Sequence, residues 1–218
     1  MDNTVDKTPA ERRRQKVRET ILSAAERVFA REGEAGLSIR RLARKIDYSP
    51  AAIYKYFQSK DELIDELKES FFSALMENVH EITDTGQPFS QRMRHCVGEY
   101  VRLATEKPHH YAAAFSGMST VEFSHEQGDP DFASTEKGRA FTVLCGMVEE
   151  GIANGHFRQD LNAPLAAKSL WASMHGLTMM MLHIPSFPAF RPGVETLSRE
   201  AFIEFHADQI VRGMEADT

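Results

Sequence analysis

Residues 38–57 read SIRRLARKIDYSPAAIYKYF, and their spacing predicts two short helices joined by a tight turn. Apolar positions fall at Leu42, Ala43 and Ile46 on the first helix, and at Ile53 with Tyr56 and Phe57 on the second. Asp47-Tyr48 occupies the turn, and Ser49-Pro50 supplies a capping serine followed by proline at the first helical position. Ala43 is small where the helices would cross, and the turn is too short for them to lie antiparallel. That is the geometry of a helix-turn-helix, whose second helix enters the major groove of DNA.

The surrounding chain is consistent with that reading. It has 218 residues, 42% hydrophobic and 27% charged, which is ordinary for a globular protein with one large or two small cores. No apolar run approaches the roughly 20 residues that span a bilayer. The opening MDNTVDKTPAERRRQKVRET lacks the apolar centre of a secretion signal. Cys96 and Cys145 stand far apart, in no metal or redox spacing, which fits a reduced compartment. A cytoplasmic protein with no membrane partner is expected.

Charge is distributed unevenly. Residues 1–60 carry 14 Lys/Arg against 8 Asp/Glu, a balance of +6, whereas residues 61–218 carry 12 against 24, a balance of -12. A basic N-terminal quarter on an acidic body suits a chain whose front meets a polyanion. Taken alone, the same residues would serve equally as a solvated charged face.

Helical periodicity runs through almost every segment, with no convincing alternating strand and no internal repeat. Residues 1–10 are expected as a flexible arm. A first helix over 11–31, with Val17, Ile21, Ala24, Ala25 and Val28 on one stripe, stops at Gly33. After the helix pair, Ser59-Lys60-Asp61-Glu62 resembles a capping box and opens a long helix carrying Leu63, Leu67, Phe71, Leu75 and Val79. Further helices are expected over 88–107, 108–118, 133–154, 162–183 and 195–214. A polar loop over 119–132 and a linker containing Pro185, Pro188 and Pro192 interrupt them. The expected fold is all-α: a three-helix head over 11–60, with reader helices in 38–57, and a body of about six helices over 61–218.

The stretch LSIRRLARKIDYSPAAIYKYFQSKDEL, residues 37–63, resembles the DNA-binding head of the TetR family of bacterial transcriptional regulators. The family pattern has serine or threonine opening the second helix, a central alanine, a leucine-tyrosine-x-x-phenylalanine run and then lysine. Here these fall on Ser38, Ala43, Ile53-Tyr54-Lys55-Tyr56-Phe57 and Lys60. The preceding ILSAAERVFAREG resembles the family's first helix, so the likeness covers about residues 12–70. Asp47 departs from the glycine usual in the turn, but aspartate tolerates a left-handed backbone better than most residues. Trp171 to Gly176 resembles a tryptophan-x-x-x-histidine-glycine signature of one subgroup.

Within the head, the helix from Pro50 to Tyr56 is the one expected in the groove. Ser49, Pro50, Ala51 and Ala52 are short enough to bring backbone close to the bases, and alanine methyls can touch thymine methyls. Tyr54 and Lys55 reach further. Ser38, Arg40, Arg41, Tyr56 and Lys60 are candidates for phosphate contacts, which set register while base contacts set specificity. Tyr56 and, less readily, Tyr54 have a competing role as partial core residues. The run Arg12, Arg13, Arg14, Lys16, Arg18 either crosses a phosphate strand or is a solvated helix start.

The body offers no catalytic constellation, metal spacing or cofactor motif, so neither enzyme chemistry nor a bound metal is expected. His109 and His110 point in different directions on a helix, and His175 sits in an apolar stretch as either core or ligand contact. Soft apolar bulk stands out instead. Phe72, Met76, Met93, Tyr100, Phe115, Met118, Phe141, Met147, Trp171, Met174 and His175 are pocket candidates, because methionine adapts to irregular space. Each of them would also serve simply as core. Trp171, Met179, Phe202, Phe205 and Ile210 on the last two helices are interface candidates. The family resemblance implies a homodimer joined by those helices, acting as a repressor. It would leave a palindromic double-stranded DNA operator when a small lipophilic effector binds. The alternative is a regulator without an effector that acts through a protein partner.

Overall fold

Thr8 starts the first helix with a reciprocal cap: its side chain accepts from the Glu11 N–H, and the Glu11 carboxylate accepts from the Thr8 N–H at 2.7 Å. With Pro9 at the first helical position, α1 (Pro9–Gly36) begins inside the arm expected over 1–10. The computed structural model describes residues 8–83, 86–115, 132–188 and 197–216; the polar loop expected over 119–132 lies almost wholly outside them, as does much of the proline-bearing linker. Gly33 is non-helical at φ 65°, so the expected stop is a kink, after which the chain completes one more turn.

The next helices are α2 (Ile39–Lys45) and α3 (Pro50–Ile53). Asp47 between them adopts φ 58°, and the Tyr48 N–H donates back to the Ala43 carbonyl at 2.9 Å, the long closing bond of a Schellman turn. The α3 helix is shorter than the periodicity predicts. After Ile53 the Lys55 and Tyr56 amides donate to carbonyls three residues back, and the chain tightens into turn. At the start of α4 (Lys60–Thr83) the Glu62 N–H donates to Ser59 Oγ at 3.0 Å. The returning Glu62 carboxylate accepts from Gln58, one residue before the cap, so the expected box closes off register.

The body comprises the rest of α4 with α5 (Phe89–Glu106), α7 (Glu136–Ala153), α8 (Ala163–His183) and α9 (Arg199–Arg212). Between α5 and α7 come α6 (Pro108–Ala114) and a 3-10 turn, Phe132–Ser134. Thr135, Asn162 and Ser198 cap α7, α8 and α9 through their side chains. Nine α-helices are present among the described residues, with an isolated bridge between Phe157 and Glu215. No helix there is long and apolar enough to cross a membrane.

Two units pack separately. The N-terminal one joins α1, α2 and α3 to residues 61–70 and to α6 from His109 onward, so it runs beyond the 11–60 head expected from sequence. Its core includes Ile21, Val28, Leu42, Ile53, Phe57, Leu63 and Leu67, with Ala113 supplied by α6. Val17 and Ile46 are only partly buried. In the second unit α5 lies against α8 and α9, and α7 against α8. Arginines on α5 fasten these layers: Arg92 to Glu150 at 2.6 Å, Arg94 to Asp208 at 2.9 Å and to Glu215 at 2.7 Å, and Arg102 to Glu200 at 2.6 Å.

Candidate functional site

The Ala52 N–H donates to Ser49 Oγ at 3.1 Å, so the serine hydroxyl is committed to starting α3. Ser49, Pro50, Ala51, Tyr54 and Lys55 are exposed together, with Tyr54 51% exposed, and Ala52 is half-buried. An exposed tyrosine of that size beside a lysine, on a helix start lined by small side chains, can reach base edges while its backbone approaches closely. Tyr48, exposed in the turn, adds an aromatic group to this surface. Read as a turn residue, it did not stand out in the sequence.

Not every candidate phosphate contact is equally available. Ser38 precedes α2 without a capping hydrogen bond from its side chain, and Ser38 and Arg40 are both exposed. Arg41 is paired through both terminal guanidinium nitrogens with Glu32, and Lys60 donates to the Glu34 carbonyl at 3.1 Å. Tyr56 is half-buried against the head core, with Arg14 5.9 Å from its ring centre. Arg18 stacks over Phe57 at 4.8 Å and is paired with Glu66. At least one arginine of the basic run therefore holds α1 to α4 instead of facing solvent. The exposed Arg44 and Lys45, in the last turn of α2, extend the positive surface.

The second site is an apolar cavity in the body. The space open to the centre of a water-sized sphere is about 50 Å³, within about 500 Å³ of interatomic space that includes open solvent. Seven of the eleven pocket candidates line it: Phe72, Met76, Tyr100, Phe141, Met147, Trp171 and Met174. Trp171 Nε1–H donates to the Tyr100 hydroxyl at 3.3 Å, and its ring lies 5.7 Å from Phe141, so its polar edge is satisfied within the wall. Met93 is fully buried core instead, and His175 is half-buried beside the lining residue Met174 without being part of the lining. Phe115 packs its ring 4.9 Å from Tyr111, which belongs to the N-terminal unit. Met118 lies outside the described residues. Lys137 also lines the cavity, and nothing in the residues around it in sequence marks it for that place.

A different face of α8 is exposed along Leu165, Ser169, Ala172, Gly176, Met179 and Met180. Phe205 on α9 is 55% exposed, Phe202 stacks edge-on against Phe187 at 5.1 Å, and Ile210 is half-buried. Trp171, a candidate for both sites, falls at the cavity.

The structure also brings Ser173 Oγ to 3.0 Å from His206 Nε2, a pairing between α8 and α9 that residue spacing did not reveal. Burial lowers the His206 pKa, and a hydrogen bond to the Ser173 backbone partly offsets that. Burial also lowers the His175 pKa, with a further contribution from the Lys137 charge. No cluster of three metal-ligating side chains occurs among the described residues.

Residues 21–67 match the family described as bacterial regulatory proteins, tetR family, and residues 93–205 match the tetracyclin repressor-like C-terminal domain. An uncharacterized HTH-type transcriptional regulator of Haemophilus influenzae is 37% identical over 35% of this chain and 41% of its own length. The HTH-type transcriptional repressor KstR2 of Mycolicibacterium smegmatis is 22% identical over 72% of this chain and 77% of its own. The fold resembles that of the transcriptional regulator FadR from Bacillus subtilis, solved in complex with stearoyl-CoA. That likeness has a TM-score of 0.67 at 14% identity and covers 90% of this chain and 99% of the other.

Proposed function

The chain belongs to the TetR family of bacterial regulatory proteins and is a transcriptional regulator, not an enzyme; from that premise we propose that it is a cytoplasmic, dimeric repressor released from a palindromic operator by a small lipophilic effector. The observation that carries this reading is the presence, in a chain with an exposed helix-turn-helix surface, of an apolar cavity in the body lined by aromatic and methionine side chains. Tyr54 and Lys55 read base edges, and Ser38, Arg40, Tyr56 and Lys60 set register on phosphates. Arg41 adds to these when DNA phosphate competes with Glu32.

Dimerisation proceeds through α8 and α9. Ser169, Ala172 and Gly176 let another helix come close, and Met179, Met180 and Phe205 supply apolar area that a monomer leaves wet. Two copies then present recognition helices to half-sites about 34–36 Å apart. An effector favours release only by as much as it binds the released conformer more tightly.

The test is footprinting on the DNA flanking the chain's own gene, followed by titration with a panel of lipophilic metabolites. Protection of an inverted repeat, lost on adding a panel member, is the expected result. A protected site that no member releases, together with an unchanged melting temperature, would favour the effector-free regulator. Absence of any protected repeat would overturn sequence-specific repression there.

A further inference from the structure

We propose that Arg14 grips a DNA phosphate beside the recognition helix, with Tyr56 as the platform that holds it there; this rests on reading α3 as that helix. Arg14 and Arg18 stand one turn apart on α1 and share a face. Each guanidinium lies over an aromatic ring that follows α3, Arg14 at 5.9 Å from the centre of Tyr56 and Arg18 at 4.8 Å from that of Phe57. Beyond that the two differ. Arg18 is half-buried and paired through both terminal nitrogens with Glu66, so its charge is answered inside the fold. Arg14 is exposed, and no carboxylate among the described residues pairs with it.

A ring and a carboxylate leave an arginine in different states. A ring engages the flat face of the guanidinium and leaves its N–H edges free, whereas a carboxylate occupies those edges. A phosphate arriving at Arg14 therefore displaces water and not a protein anion. The ring also limits the swing of a long side chain, so less freedom is lost when the phosphate binds. Both halves of this arrangement are anchored in the head. The Thr8–Glu11 cap orders α1 from Pro9 onward, and Tyr56 packs against the head core. The Tyr56 amide donates to the Ile53 carbonyl at 2.9 Å, which ties its ring to the end of α3, next to Tyr54 and Lys55. A phosphate contact at this place sets register without reading sequence.

Fluorescence anisotropy of the full chain across a salt series tests this on two duplexes: the inverted repeat protected in footprinting, and a mixed sequence of equal length. The variants are Arg14→Gln, Arg14→Lys and Arg18→Gln, each also melted without DNA. Arg14→Gln should weaken binding to both duplexes about fivefold or more at low salt, and lower the slope of log affinity against log salt by about 0.9 for each head bound. Its melting temperature and its preference for the repeat should stay at wild-type values. Arg14→Lys should keep the slope. Arg18→Gln should lower the melting temperature and keep the slope. An unchanged slope in Arg14→Gln makes that residue part of a solvated helix start, and a lost preference for the repeat makes it a base reader. Either result overturns the assignment, as does a slope that falls equally in Arg18→Gln. A Tyr54→Ala, Lys55→Ala variant run alongside separates the two failures: if it keeps the preference for the repeat, α3 is not the recognition helix and the assignment of Arg14 falls with it.

Discussion

His110 Nε2 lies 2.6 Å from the Glu26 carboxylate, and this pair joins α6 to the middle of α1. Glu26 is only 8% exposed, among the apolar side chains of the N-terminal unit. A buried carboxylate that loses its partner retains its desolvation penalty, about 1–3 kcal/mol. His110→Ala should therefore destabilise the chain by about that much in urea unfolding. His109→Ala, at an exposed neighbouring position, should stay within about 0.5 kcal/mol of wild type. Equal effects would mean that the pair contributes little.

On the reading surface, Tyr54→Ala and Lys55→Ala should each weaken operator affinity about tenfold or more, measured at one fixed salt concentration. If Lys55 meets a phosphate, its removal should also reduce the slope of log affinity against log salt by about 1. Arg41→Ala should cost less than either, since Arg41 must first leave Glu32. Unchanged affinity in the Tyr54→Ala, Lys55→Ala double variant would show that α3 is not the recognition helix.

Gly151 gives a packing prediction. A methyl group there would stand 2.4 Å from Phe157 Cδ2 and 2.7 Å from Phe89 Cζ, and Phe89 is itself stacked on His156 at 4.8 Å. Gly151→Ala should cost about 1–3 kcal/mol by overpacking, despite alanine's better helix propensity. Gly146→Ala on the same helix meets nothing within 4 Å and should be neutral or mildly stabilising. Thermal melts of the two variants decide the matter.

Acidification should weaken the body. His206 and His175 both titrate below the ordinary 6.5 in the fold, chiefly because burial disfavours their charged forms. The unfolded chain consequently takes up protons first. Stability is complete above the unfolded value and falls as pH drops through it toward the folded values. The melting temperature should decline between about pH 7.5 and about pH 5.5, and His206→Gln, which still offers Ser173 a partner, should flatten that decline. A slope identical to wild type would remove His206 as a source.

Burial pushes the Cys96 thiol up to about 12, with Arg92 pulling it down and Glu99 pushing it further up. At pH 8 the thiolate fraction is on the order of one in ten thousand, so iodoacetamide should label native Cys96 far more slowly than the same residue in urea. Peptide mass spectrometry after timed quenching checks this.

Local grammar was the most legible part of the sequence. Ser49 as a cap, Asp47 as the left-handed turn residue and the Leu63–Leu67–Phe71–Leu75–Val79 stripe of α4 all follow from near-neighbour chemistry, and each stands where the spacing put it. Pairings between distant segments were not legible. Periodicity cannot tell that His110 meets Glu26 or Ser173 meets His206, because each pair is created by packing. The cavity was legible as a composition of methionines and aromatics, but not as an outline. Met93 is as soft as Met147, yet only the fold decides which of them borders empty space. Lys137 was invisible for the same reason: its significance lies in its neighbours.

The N-terminal unit is discontinuous, since α6 from His109 onward adds Ala113 to a core otherwise built from the first 70 residues and pairs His110 with Glu26. A reading head assembled this way is not a portable cassette. Grafting residues 1–70 onto a foreign body would leave Glu26 unanswered and the place of Ala113 open, unless the recipient supplied an equivalent helix. Swaps intended to redirect such a regulator to new operators should therefore carry α6 with the head, or change only the exposed side chains of α3.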